Sequence, residues 1–172
     1  QAAIDSNPKT LYLYSNLAQV YLRADESDKA VGLYKEAINK FPKQSSLYVQ
    51  LAGLYQRLNK TDKAIEISKE GLKKNSESAE LHLMLGNLYR KQSKKDKAIS
   101  QYDKVSELAG EDIRMHLTLA KHYKSMGLDK KAKAEQDKVE ELKKKRQELI
   151  KNRLEQIRQQ KAKNKEENKN NN

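Results

Sequence analysis

The chain contains no cysteine, so it can build neither a disulfide framework nor a thiolate metal site. No apolar run approaches the roughly 20 residues that a bilayer-spanning helix requires. Three histidines are all it offers for proton transfer or metal ligation, and no Gly-rich phosphate loop, nucleophile elbow or paired-carboxylate constellation accompanies them. Aromatic residues are absent after Tyr123, which deprives the C-terminal part of the stacking platforms that RNA binders use. Hydrophobic residues make up 36% of the chain and charged residues 35%, a mix that suits a thin, elongated stack better than a globule. These absences point away from catalysis, and nothing calls for a cofactor or a metal.

What the chain does have is a period. Tyr21, Tyr55, Tyr89 and Tyr123 recur every 34 residues, and so do Leu17, Leu51, Leu85 and Leu119. The small residues Ala18, Ala52, Gly86 and Ala120 keep step, as do Ala30, Ala64, Ala98 and Ala132. A fixed interval of this size marks a stacked array whose units bury their apolar faces only against neighbours. Within one period the spacing is helical: Tyr14, Leu17, Ala18 and Tyr21 fall on one face, and Ala30, Val31, Tyr34, Ala37 and Ile38 form a second stripe. The spacing predicts helical pairs at 11–24 with 28–40, 45–58 with 62–74, 79–92 with 96–108, and 113–126 with 129 onward. Asp28, Asp62 and Asp96 stand near the positive ends of the second helices, and Ser27 and Thr61 are the expected N-caps. Ala3 and Pro8 lie 34 residues before Ala37 and Pro42, so residues 1–10 read as the end of a preceding unit and the chain as part of a longer one.

The sequence of positions in repeat 1, Tyr14, Leu17, Ala18, Tyr21, Ala30, Tyr34, Ala37 and Pro42, resembles the tetratricopeptide repeat, whose period is 34. Repeat 2 carries Tyr48, Leu51, Ala52, Tyr55, Ala64 and Gly71, with Ser68 where an aromatic is usual. Repeat 3 has His82, Leu85, Gly86, Tyr89, Ala98, Tyr102 and Val105; repeat 4 has His116, Leu119, Ala120, Tyr123, Ala132 and Val139, with Gln136 at the aromatic position. The resemblance spans four repeats, 11–44, 45–78, 79–112 and 113–146. It implies an all-α solenoid of stacked helix-turn-helix hairpins, a right-handed superhelix whose first helices line a concave groove for an extended partner segment. His82 and His116 then occupy one packing position in successive repeats, too far apart to share a zinc ion, and His122 faces another side.

Mapped onto that plan, the groove residues are Tyr12, Asn16, Gln19 and Arg23 in repeat 1, Gln50 and Arg57 in repeat 2, Asn87, Arg90 and Lys91 in repeat 3, and Arg114, Lys121 and Lys124 in repeat 4. Ser15, Val49, Gln56, Glu80, Leu83, Met84, Leu117 and Thr118 complete the lining. Amides can hydrogen-bond a ligand backbone through donor and acceptor together, and the bases can hold acidic side chains or a terminal carboxylate. One subclass of the family clamps chaperone tails with Lys and Asn at positions that here hold Ser15, Gln19, Gln50, Glu80 and Met84, so that pattern is not met. Eight of the nine tyrosines occupy packing columns; Tyr12 alone is left for a ligand. The expected function is a protein-interaction scaffold that binds an extended, acidic segment.

The last repeat departs from the others. Val31, Ile65 and Ile99 are followed by Lys133, and Ile38 and Leu72 by Ser106 and Glu140, the polar outer face of a terminal unit. After Gly127 there is no Gly or Pro, and helix-favouring residues continue to about position 163, predicting one helix over 129–163 that continues the last hairpin through 147–163. Val139, Leu142, Leu149, Ile150, Leu154 and Ile157 give it a thin apolar stripe interrupted by Arg146 and Arg153, open to docking, a partner helix or self-association. Residues 164–172 are Lys/Asn-rich and expected to be disordered. Of the net charge of +12, residues 129–172 carry half, with 15 basic and 9 acidic side chains, so nucleic acid or an anionic surface is the alternative partner.

Overall fold

A computed structural model describes residues 8–170, and among them it contains helices and no strand. In chain order these are α1 (Pro8–Arg23), α2 (Ser27–Lys40), α3 (Ser45–Arg57), α4 (Thr61–Lys74), α5 (Ala79–Lys91), α6 (Lys95–Leu108), α7 (Ile113–Ser125) and α8 (Asp129–Asn170). The spacing argument therefore placed most boundaries within a residue or so. Two ends differ. Helix α1 already includes Pro8, three residues ahead of the expected start at 11. The rest of the expected preceding unit lies outside the described residues. Helix α8 runs to Asn170, seven residues beyond the expected end and through most of the stretch expected to be disordered. Each residue added to an existing helix gains a backbone hydrogen bond without a new nucleus, and no Gly or Pro stops it.

The helices fall into two compact units, Gln1–Gly110 and Glu111–Asn172. In the first, each hairpin is closed on itself, α1 on α2, α3 on α4 and α5 on α6. The hairpins are joined by α2 on α3, α4 on α5, and α3 on α5. The small-residue columns explain how. Ala18, Ala30, Ala52, Ala64 and Ala98 are all fully buried. A methyl group on Gly86 would lie 2.6 Å from the Tyr102 ring, and one on Gly71 would lie 2.8 Å from both Tyr48 and Leu81. Between these close approaches Tyr34, Tyr48, Tyr55, Tyr89 and Tyr102 fill the core. Ser68, where an aromatic was expected, is fully buried, and its hydroxyl donates to the Ala64 carbonyl at 2.8 Å.

The turn inside each hairpin is the same device four times. Asp25, Asn59, Ser93 and Gly127, again 34 apart, all have left-handed backbones, with φ of 60, 57, 58 and 73°. The next residue's N–H reaches back five positions: Glu26 to Tyr21, Lys60 to Tyr55, Lys94 to Tyr89 and Leu128 to Tyr123, at 2.8–2.9 Å. This is a Schellman closure of the first helix. It corrects the expected caps. The cap positions of α2 and α4 are Glu26 and Lys60, neither of which makes a side-chain cap bond, and Ser27 and Thr61 lie one residue inside the helices. Side-chain caps occur instead at Ser78, for Leu81, and at Asp112, for Arg114 and Met115. A lysine at one position near the start of each second helix, 34 residues apart, has a role the sequence did not suggest. Lys29, Lys63, Lys97 and Lys131 sit 5.5–6.0 Å over the rings of Tyr21, Tyr55, Tyr89 and Tyr123.

In the second unit α7 packs on α8, with Leu119, Ala120 and Tyr123 of α7 and Ala132, Val139 and Leu142 of α8 buried. His116 and Glu135 are buried there too, Nδ1 to Oε2 at 2.6 Å, so the histidine at the aromatic position is matched by a carboxylate. The equivalent pair one period earlier is His82 with Gln101, at 2.8 Å. Beyond Leu142 the helix changes character: residues 143–161 are all exposed, including Leu149, Ile150, Leu154 and Ile157. Lys145 forms an ion pair with Glu111 near the start of this span.

Candidate peptide-binding surface

First helices α1, α3 and α5 carry the expected groove residues of the first three repeats, and these form the candidate surface of the first unit. At its C-terminal rim Arg23, Arg57 and Lys91 are exposed, 34 residues apart, in the last turns of α1, α3 and α5. Arg90 is exposed beside Lys91. Each base also complements the negative end of its helix. Tyr12, Asn16 and Gln19 are exposed on α1, Tyr12 at 66%.

The expected amide ligands are less available. The Ser15 hydroxyl donates to Gln50 Oε1 at 2.8 Å, linking α1 to α3. The Tyr102 hydroxyl donates to Asn87 Oδ1 at 2.8 Å, so Asn87 braces α5 against α6. In both amides the NH₂ group stays available to donate. Met84 is half-buried opposite Gly53, whose added Cβ would lie 3.8 Å from the Met84 methyl. Arg57 and Arg90 have intramolecular neighbours as well. Burial raises the hydroxyl pKa of Tyr34 and of Tyr102 above the usual tyrosine value; the Arg57 charge opposes the first shift, and a hydrogen bond and charge from Arg90 oppose the second.

At the opposite rim the sign changes. A cavity of about 460 Å³ opens where α3 and α5 begin, lined by Lys43, Gln44, Ser45, Ser46, Val49, Gln50, Asn75, Glu77, Ser78 and Glu80. Of these only Val49, Gln50 and Glu80 were expected. Ser45 and Ser46 open α3, and the rest come from the turns between hairpins, whose residues carry no periodic signal that would have placed them on this face; the Asn75 amide donates to Ser45 Oγ at 3.0 Å. The surface of the first unit is therefore polarised, basic at the C-terminal ends of the first helices and acidic to neutral at their N-terminal ends. In the second unit Arg114, Lys121 and Lys124 are exposed on α7, Arg114 held toward Asp112, with Nε to Oδ1 at 3.8 Å. Among the described residues no group of three His, Cys, Asp or Glu side chains could hold a metal ion, and no helix is long and apolar enough to cross a membrane.

Stacked α-hairpins joined through small-residue columns, with exposed polar first-helix faces, define a helical-repeat interaction scaffold. Residues 49–112 match one family model described as tetratricopeptide repeat, and residues 13–42 match a second of the same description, together more than half of the chain. The chain belongs to the tetratricopeptide repeat family. It is similar to a crystal structure of MamA, with a TM-score of 0.60 and 20% identity over 86% of each chain. It is also similar to a crystal structure of MamA protein, with a TM-score of 0.60 and 20% identity over 82% of this chain and 77% of that one. A MamA RS-1 ArsTM double mutant gives 0.59 at 18% identity, covering 78% and 75%. At such identity these likenesses speak for the fold alone. No curated protein matches the chain. Proteins of this family bind protein partners, and the fold is typically a non-catalytic scaffold.

Proposed function

We propose that the first-helix surface of the first unit binds an extended partner segment carrying acidic side chains toward the C-terminal ends of α1, α3 and α5. The observation that carries this reading is the column Arg23, Arg57 and Lys91, three exposed bases at one repeat position with Arg90 alongside. An idle surface would mix the signs, whereas this column does not. The amide hydrogens of Gln50 and Asn87 are supports for a ligand backbone, and Tyr12 for a ligand side chain. In the second unit, Arg114, Lys121 and Lys124 offer the same chemistry on α7.

Affinity near micromolar, about −8 kcal/mol, is the scale expected for such a segment. The test uses a fluorescently labelled Asp/Glu-rich peptide and its Lys-rich counterpart, with binding read by anisotropy. The triple variant Arg23→Glu, Arg57→Glu, Lys91→Glu should lose roughly tenfold or more in affinity for the acidic peptide while keeping its helical circular dichroism. Equal binding of both peptides, or full retention by the variant, would reject the reading. A second, electrostatic reading rests on the exposed span 143–161 of α8, which holds eight basic and two acidic side chains. Such a span would attract nucleic acid or another polyanion without base selectivity.

A further inference from the structure

Past Leu142 helix α8 keeps its apolar stripe but loses its cover. Ile150, Leu154 and Ile157 are spaced four and three residues apart, and they are 52, 52 and 41% exposed. With Gln147 they trace one side of the helix. Ala132 and Val139, both buried where α7 packs on α8, stand 18 residues before Ile150 and Ile157. That interval is about five helical turns, so the exposed stripe continues the side that α7 covers. Gln147, Ile150, Lys151, Leu154, Glu155 and Arg158 line a shallow groove of about 350 Å³ along it.

The charges beside the stripe define what fits it. Arg146 and Arg153 border it on one side, Lys151 and Arg158 on the other, each pair seven residues apart. Glu148 and Glu155 lie behind the Lys151–Arg158 row, farther from the stripe. Among the described residues the ion pairs of α8 end at Lys145, so these four bases have no acidic partner. A second copy fits poorly. Paired parallel, the Arg146 row of one chain would face the Lys151 row of the other; paired antiparallel, each row would face itself. Either way base meets base, and such like-charge contacts oppose association. A helix whose aliphatic seam is flanked by Asp or Glu meets the same rows with opposite charge.

We propose that residues 146–158 of α8 are a docking surface for an amphipathic helix of another protein, aliphatic along its seam and acidic on both flanks. Ile150, Leu154 and Ile157 bury the seam, while Arg146, Lys151, Arg153 and Arg158 select the charge and set the register. A polyanion such as RNA would use the bases but gain nothing from the stripe. The surface lies in the second unit and does not rest on the basic column of the first.

The test uses the full chain and labelled peptides of three kinds. One carries a Leu seam with Glu flanks, one the same seam with Lys flanks, and one the Glu composition scrambled. Anisotropy should show the first binding roughly tenfold or more tighter than either of the others. Ile150→Gln, Leu154→Gln and Ile157→Gln together keep helix propensity but remove the stripe, and should cost roughly tenfold in that affinity. The same variant should hold single-stranded oligouridine as before, within about twofold. Arg146→Glu, Lys151→Glu, Arg153→Glu and Arg158→Glu together should switch the preference to the Lys-flanked peptide. The first-unit variant Arg23→Glu, Arg57→Glu, Lys91→Glu should retain the Glu-flanked peptide, which separates the two surfaces. Equal binding of the scrambled and amphipathic acidic peptides would overturn the proposal and leave only a polyanion site. So would undiminished binding by the Gln variant, or loss of binding in the first-unit variant. Concentration-dependent dimers in sedimentation that the Gln variant lacks would also overturn it, by assigning the stripe to a second copy.

Discussion

Ser93 has φ of 58° at a position where the first-helix closure demands a left-handed residue, and a Cβ makes that conformation costly. Gly127 meets the same demand at 73° without the penalty. Ser93→Gly should therefore stabilise the protein by about 0.5–1 kcal/mol, offset in part by the larger chain entropy of glycine when unfolded. Gly127→Ala should destabilise by about 1 kcal/mol. Urea unfolding followed by circular dichroism at 222 nm checks both, and a destabilising Ser93→Gly would contradict the turn assignment. This column was invisible in the sequence because four different residues fill it. The small-residue columns were legible because steric contact admits only Ala or Gly there, as the clash at Gly86 with Tyr102 demonstrates. Among the groove candidates, exposure was legible for Tyr12, Arg23 and Lys91. The ties of Gln50 to Ser15 and of Asn87 to Tyr102 were not, since they depend on where neighbouring helices bring a hydroxyl.

At the scale of the element, helix α8 is two objects joined end to end. Over residues 132–142 its stripe shares a core with α7, and Val139 and Leu142 are buried. Over residues 143–161 every side chain is exposed, and helix there is sustained by propensity and by near-neighbour ion pairs such as Lys143 with Glu140, at 2.8 Å. The stripe seen in sequence was real, but periodicity cannot say where a second helix stops covering it. Removal of residues 147–172 should accordingly leave the thermal midpoint of the remainder nearly unchanged, within about 0.5 kcal/mol. Leu142→Ala in the full chain should cost about 2 kcal/mol or more. The same truncation tests the electrostatic reading of this span. Affinity for a single-stranded RNA, measured at several salt concentrations, should lose about half of its salt slope, because Lys143, Lys144, Lys145 and Arg146 remain. An unchanged slope would dismiss residues 147–172 as part of the polyanion site.

For the whole molecule the governing quantity is charge. Lys and Arg number 36 against 24 Asp and Glu, so at pH 7 the folded chain works against a net +12. Individual carboxylates soften this. The hydrogen bond from Lys40, helped by Tyr14 and the Lys40 charge, holds the Glu36 carboxyl below its usual pKa, and Lys145 does the same for Glu111. Both groups are exposed, so each contributes little alone and less at high salt. Their sign is nevertheless fixed. A carboxyl whose pKa is lower in the folded state supports folding above the ordinary carboxylate range, and that support is lost as pH falls through the folded value. Protonation of the acidic residues acts in the same direction, because it strips away the negative charge that offsets the bases. Acidification from pH 7 to about pH 4 should thus lower the melting temperature, and added salt should recover part of the loss by screening repulsion among the bases. Melts across that range at low and high ionic strength provide the check. A melting temperature that rose on acidification, or that salt depressed further at pH 4, would mean that specific ion pairs outweigh the excess of positive charge.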